Sequence, residues 1–239
     1  MRRTGRRLRV SDLLTAEHLG ALLSIGAVTA GLIVFARRGP GAWLRWMALL
    51  LVAVELSWWV YVLAGGVPGS ELAYSLPLQL CDAAIFVAAA ALWTRRALLV
   101  EVAYFWGLAG TIQALLTPDL PQHFPTYPYF QYYIAHGGVV AAALVLVVGL
   151  RIHPQHLLRV IAVTLGYVAV VGLVDAVTGA NYMYLRAKPP AATLLDLLGP
   201  WPVYILAASI IALILFAVLD APFRLRREAS RTAPPIRLR

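Results

Sequence analysis

The stretch LLTAEHLGALLSIGAVTAGLIVF, residues Leu13–Phe35, runs from Ser11-Asp12 to Ala36-Arg37-Arg38 with Glu17 and His18 as its only ionisable side chains. About 20 residues of helix cross a hydrocarbon layer about 30 Å thick. A secretory leader has a shorter apolar region and a small-residue cleavage site, whereas this run stops at paired arginines, so it reads as a first transmembrane helix. The same rule places further spans near 43–64, 74–94, 97–116, 127–150, 157–179 and 200–221. The expected architecture is all-α: a polytopic membrane bundle of about seven transmembrane helices in residues 13–222. It lies between a basic N-terminal tail at 1–12 and a mobile basic C-terminal tail at 223–239. Gly39-Pro40-Gly41, the turn from Gly65 to Gly69, Thr117-Pro118-Asp119-Leu120-Pro121, His153-Pro154 and Lys188-Pro189-Pro190 separate the spans. Only Arg95-Arg96 divides the third span from the fourth, which Glu101, Gly107, Gly110 and Gln113 dilute, so those two must form a tight hairpin.

Composition leads to the same class. Hydrophobic residues make up 61% of the 239 and charged residues 13%, with a mean hydropathy of +0.77, more apolar surface than a soluble domain of this size buries. The net charge of +9 does not point to nucleic acid, because the basic residues sit in tails and short connections rather than on one folded face. They act as topology signals. Thirteen Lys and Arg fall on the side that holds Arg37, Arg45, Arg95 and the C-terminus, and seven on the other, which puts the N-terminus outside and the C-terminus in the cytoplasm of a cell membrane. Cys81 is the single cysteine, so no intrachain disulfide forms. Nothing resembles a phosphate-binding glycine loop, a zinc motif or a serine nucleophile elbow, and neither metal nor cofactor is expected. No feature sets an oligomeric state.

Leu76-Pro77-Leu78-Gln79-Leu80-Cys81-Asp82 puts the cysteine and a carboxylate inside an apolar segment. In the orientation above, Cys81 lies about 10 Å below the outer boundary and His136, on the fifth span, about 13 Å below it. His18, Gln113, Asp175 and Asn181 fall in the same outer half, and an outward-opening polar cavity would gather them. A charged group at a helix centre costs about 2.5–3.5 kcal/mol, so such groups face the bundle interior or water. Alone, Cys81 reads as a small buried hydrophobe and His136 as a helix-packing group. Together they suit thiol chemistry, since a thiol attacks as thiolate and needs a base to form it.

Other polar residues have supporting roles in this reading. Asp82 is turned about 100° from Cys81 and is expected to support another helix. Asp175 and Glu55 are candidates to orient His136, with Glu55 equally open to a neutral cross-helix hydrogen bond. Gln79 and Gln113 are candidate oxyanion donors. Glu101 and Asp220, beside arginines at inner helix ends, are expected to be ion-paired or solvated. Asn181, Tyr182, Arg186 and Lys188 bring amide, aromatic and cationic groups to the outer side, a set suited to a lipid phosphate or carboxylate, although tyrosines there also anchor at the interface. Leu194–Leu198 is too short to span and reads as an interfacial or re-entrant piece.

Several longer stretches carry a resemblance: Leu76 to Asp82, Glu101 to Gly107, Leu116 to Asp119, His136 to Gly138, Asn181 to Pro189 and Leu194 to Pro202. Together they resemble the bacterial YwaF-like integral membrane family over roughly residues 12–222. Members commonly have histidine where this chain has Gln79. More distantly, the chain resembles an animal transmembrane acyltransferase of ether-phospholipid remodelling and the androgen-induced hydrolases of fatty-acid esters of hydroxy fatty acids. The acyltransferase resemblance implies a catalytic cysteine and histidine, carried over onto Cys81 and His136. The hydrolases use threonine with histidine, and no threonine convincingly replaces Cys81.

The expected function is acyl transfer or ester hydrolysis with membrane lipid as both environment and substrate. Cys81 is the nucleophile, His136 the base and then the acid, and Arg186 and Lys188 hold the headgroup. Two alternatives come from other classes. One is a transporter or small-solute binding protein with a path through Glu55, Asp175 and His136, against which the nearly pure Ala, Val and Leu of Val139–Leu150 counts. The other is a non-catalytic membrane scaffold.

Overall fold

The computed structural model describes residues 15–67, 76–118, 120–189 and 194–232. The arginines of 1–12, Tyr74 as the start of the third span, Asp119, Thr193 and the end of the C-terminal tail lie outside the described residues. Every regular element described is helical. The helices are α1 (Ala16–Ala36), α2 (Trp43–Gly66), α3 (Leu80–Thr94), α4 (Ala97–Leu116), α5 (Tyr127–Gly149), α6 (Leu157–Thr178) and α7 (Val203–Thr232), with 3-10 turns at Tyr182–Tyr184 and Leu194–Leu198. Six of them are long and apolar enough to cross a membrane. The exception is α3, with 15 residues.

Local chemistry sets the boundaries. Thr15 Oγ1 accepts the backbone N–H of His18 and caps α1. The α3–α4 hairpin turns on Arg95 in the left-handed region, φ 53°, and Gly179, φ 79°, closes α6 in the same conformation with none of the strain a side chain would bring. α4 and α5 are the enclosed pair: 61% and 67% of their most apolar stretches are buried, against 22% or less in the other spanning helices. Small residues permit this. Ala84, Ala88, Ala91, Ala103, Ala142 and Ala143 are fully buried, letting backbones approach where lipid offers no hydrophobic drive to association.

The two ends of the bundle differ. At one, Gly149 meets Ala36, Arg45 lies over the ring of Trp93 and Arg227 donates to the Pro154 carbonyl at 2.8 Å. At the other, Glu17 pairs with His123, Ser57 with Tyr127 and the segment before α3 with the turn after α6. The second is the cysteine end.

Three expectations are corrected. The third helix begins at Leu80 rather than near residue 74. The C-terminal tail is not a mobile extension from residue 223: α7 continues through Pro222 to Thr232. Beyond the proline, Arg224 pairs with Glu228 at 3.0 Å and Arg227 with Asp220 at 3.1 Å. Glu101 has no ion-pair partner among the described residues and is not solvated. It is 2% exposed, and its Oε1 accepts the backbone N–H groups of Gln155 and His156 at the start of α6. Asp220, by contrast, is ion-paired as read from the sequence.

The close approach of α5 to α1 predicts a contrast between two glycines. A Cβ on Gly149 would stand 2.7 Å from Ala36 Cβ, whereas one on Gly166 meets nothing within 4 Å. Gly149→Ala should destabilise by about 1–3 kcal/mol and Gly166→Ala should be neutral or stabilising, read as opposite shifts in thermal unfolding of the detergent-solubilised protein.

Candidate functional site

The site begins with a stretch of chain that is not helical. Pro77 disfavours helix in the residue before it, and Gln79 is the extended N-cap of α3, φ −65° and ψ 149°. A bare backbone group in hydrocarbon costs several kcal/mol, and here each of several is covered. The Leu76 N–H donates to Tyr182 Oη at 3.1 Å, the Leu78 N–H to the Leu76 carbonyl at 2.7 Å, and Tyr167 Oη donates to the Leu78 carbonyl at 3.0 Å. The Asp82 carboxylate accepts the Gln79 N–H, one half of a capping box. In return, Gln79 Oε1 accepts the Met183 N–H at 2.9 Å.

Cys81 is therefore the second residue of α3 rather than seven residues into a helix. Its half-buried thiol sits in the first turn of the helix. Thr111, on the π-helical turn Trp106–Thr111 that interrupts α4, has its side chain within hydrogen-bonding reach of the thiol. Gly110 beside it leaves room for Leu80.

The level of His136 follows from its neighbours. Tyr132 Oη donates to the Ala114 carbonyl at 2.7 Å, and Val139 and Ala143 flank Gly107. These contacts run α5 antiparallel along α4, with His136 midway between Tyr132 and Val139–Ala143 and hence opposite Gly110 and Thr111. His136 Nδ1 lies 2.8 Å from the Tyr132 carbonyl, and the ring stacks on Tyr132 with centroids 4.1 Å apart. A carbonyl only accepts, so Nδ1 carries the proton and Nε2 of the neutral ring presents its lone pair. Neither Asp175 nor Glu55 orients this histidine; a backbone oxygen four residues earlier does.

The other residues separate into groups. Glu55, 3% exposed, faces Asp82 across α2 and α3. Asp175 is fully buried with Oδ1 accepting the Tyr182 N–H at 2.9 Å. His18 is not brought to the cysteine: its Nδ1 lies 2.7 Å from Tyr133 Oη, between α1 and the opposite face of α5. Gln113 is exposed, with its amide donating to its own helix at the Ala109 carbonyl. Below the Glu55 and Asp82 carboxylates, Ala84, Ala88, Val139 and Ala143 form an apolar layer.

The residues read as lipid-binding are engaged with their own loop. Asn181 Oδ1 accepts the N–H groups of Arg186 and Ala187, and its Nδ2 donates to the Ala187 carbonyl. The Arg186 guanidinium donates to the Asp175 and Ala180 carbonyls, and Tyr182 is fully buried. Lys188 lies 3.7 Å from Asp196 and over the ring of Tyr204, whose hydroxyl donates to the Tyr184 carbonyl. Thr111, Tyr132 and Tyr167 were not singled out from sequence. Their signals were present: a hydroxyl after paired glycines in a diluted span, an aromatic four residues before His136, and a tyrosine in the middle of an apolar run.

Seven packed helices, six of spanning length, with a thiol and an imidazole near one end, define an integral membrane protein of the polytopic helical class. The chain belongs to the TMEM164 family, whose family model matches residues 13–220. No curated protein and no solved structure matches it.

Two substitutions test whether the loop residues are structural. Tyr167→Phe leaves the Leu78 carbonyl unpaired and Asn181→Ala frees three backbone groups, so each should lower stability by about 1–3 kcal/mol. Thermal unfolding of each variant measures it.

Proposed function

We propose that the protein is a lipid acyltransferase or lipid ester hydrolase using Cys81 and His136. One observation carries the reading: the thiol in the first turn of α3 has Thr111 as its neighbour, and His136, its Nδ1 tied to Tyr132, lies level with that same residue. The chemistry then runs in two halves. His136 Nε2 takes the thiol proton as sulfur bonds to the ester carbonyl carbon of a lipid. Collapse of the tetrahedral oxyanion breaks the ester C–O bond, and the departing alkoxide takes the proton from His136. This leaves a thioester on Cys81. An acceptor hydroxyl, or water, gives its proton to His136 and attacks the thioester, and the released thiolate is reprotonated.

Several features support a lipid as substrate. Cys81 lies beside helices of spanning length, at the end where non-helical backbone enters the bundle. Membrane topology belongs to the same reading: α3 is the seventh span, completed by the non-helical residues before Leu80, and the cysteine end faces outside a cell membrane with the C-terminus in the cytoplasm. The polar cavity would open there, between Glu55, Asp82, Thr111 and His136. Gln79 is the candidate oxyanion donor through its side-chain N–H, with the amide held by the Met183 N–H that its carbonyl oxygen accepts.

Purified protein in phospholipid vesicles with a lysophospholipid acceptor should transfer or release acyl chains. Cys81→Ala and His136→Ala should each reduce the rate at least about 100-fold. Undiminished transfer in both variants would overturn the assignment.

A further inference from the structure

We infer that the rim of the bundle opposite the cysteine end, where the Arg45 guanidinium lies over Trp93 beside Arg95-Arg96, is a docking site for the phosphate head of an anionic phospholipid. The arginines there follow one another along an edge. Arg151 comes just after Gly149, which packs against Ala36 at the end of α1, and Arg37 and Arg38 continue from Ala36. Phe35 meets Trp43 at the start of α2, ring centroids 5.3 Å apart, and Arg45 in the same turn lies 5.5 Å over the ring of Trp93, next to the hairpin arginines. All six arginines are exposed, and none has an ion-pair partner among the described residues. The carboxylates described at this end are engaged elsewhere: Glu101 with the start of α6, Asp220 with Arg227 and Glu228 with Arg224. The positive charge of the rim therefore repels itself uncompensated, and a bound anion relieves that repulsion.

Two further observations specify the occupant. Topology accounts for cations in the connections but not for their backbone conformations, and here Arg95 and Arg151 stand in the left-handed region at φ 53° and φ 57°. Glycine would close either turn without strain. Both turns bear the strain of a side chain instead, and in both that side chain is a guanidinium, an outlier of the kind that gathers at ligand sites. The second observation fixes the depth. Trp46 and Trp93 are 70% and 45% exposed, and indole rings settle at the level of lipid headgroups, so the guanidinium over Trp93 stands among lipid phosphates rather than out in water. A planar guanidinium takes two phosphate oxygens at once. A zwitterionic head brings its own cation toward the arginines, whereas an anionic head brings none. Arg45, Arg95 and Arg96 have no part in the acyl chemistry, so the site stands independently of it.

The test uses the full chain in detergent, with phosphatidylglycerol and phosphatidylcholine of identical acyl chains as probes and native mass spectrometry to count the bound lipid. Phosphatidylglycerol should bind at least about tenfold more tightly. Arg45→Gln and Arg96→Gln should each weaken it about fivefold and leave phosphatidylcholine unchanged. Arg95→Gly should weaken it likewise while raising the temperature of thermal unfolding, because the turn loses its strain; an arginine that served only the turn would not separate the two readings. The three changes combined should make the two lipids bind equally. Exchanging Arg2, Arg3 and Arg6 for Gln removes as much charge elsewhere and should leave the affinity unaltered, as should Cys81→Ala even where acyl transfer is lost. Equal binding of the two lipids by the wild type, undiminished phosphatidylglycerol binding in the combined variant, an equal loss in the N-terminal variant, or displacement of the lipid by soluble polyglutamate, which would make the occupant an acidic protein, would each overturn the inference.

Discussion

The interior of a membrane has no water to complete a broken helix, and the segment Leu76-Pro77-Leu78-Gln79 breaks one. Much of the cysteine end follows from covering its backbone. Tyr182 can reach Leu76 only if the chain after α6 turns back sharply, and Asp175 and Arg186 hold that turn from inside. Tyr167 must stand on α6 at the level of Leu78. Gln79 gives its side-chain oxygen to Met183 and its N–H to Asp82. The result is a socket made of backbone and aromatic hydroxyls around the first turn of α3.

The spans were legible because lipid imposes a length and a composition, and those are properties of a sequence window. Six helices agree with their expected bounds within a few residues, apart from the prolongation of α7, whose anchoring pairs Arg227–Asp220 and Arg227–Pro154 depend on what lies across the bundle. The start of α3 was not legible from hydropathy: Leu76 to Leu80 is as apolar outside a helix as within one, and only Pro77 marks the difference. The pairing of Cys81 with His136 at one level was read by counting residues from a helix start that proved wrong for α3. α4 touches both segments, with Gly110 and Thr111 beside the first turn of α3 and Gly107 and Ala114 against α5.

Polar loop residues were the least legible. Asn181, Arg186 and Lys188 carry the groups that would hold a lipid head, yet the same groups hold a tight turn. Sequence does not distinguish an outside ligand from the chain's own carbonyls. The orientation of His136 shows the same limit from the other side: a carboxylate was sought because carboxylates are visible as letters, whereas every residue has the carbonyl that does the work. Tyr132, by stacking on the ring and supplying that carbonyl, performs both parts. α5 thus presents two unlike faces, an imidazole toward α4 and glycines toward α1 and α2, and the change between them takes one residue, from His136 to Gly137.

The π-helical turn at Trp106–Thr111 gives α4 one residue more than an ideal helix of the same height would need. Such an insertion shifts the angular phase of everything beyond it by about 100°. Removing one residue there would let α4 close into regular helix while rotating Thr111, Ala114 and Leu115 around its axis, and the hydroxyl now beside Cys81 would turn toward another neighbour. The membrane-crossing function of α4 would survive that change intact. The place of the Thr111 hydroxyl beside the Cys81 thiol would not, so the surplus residue acts as a phase key for that contact, carried by a helix whose hydropathy gives no hint of it.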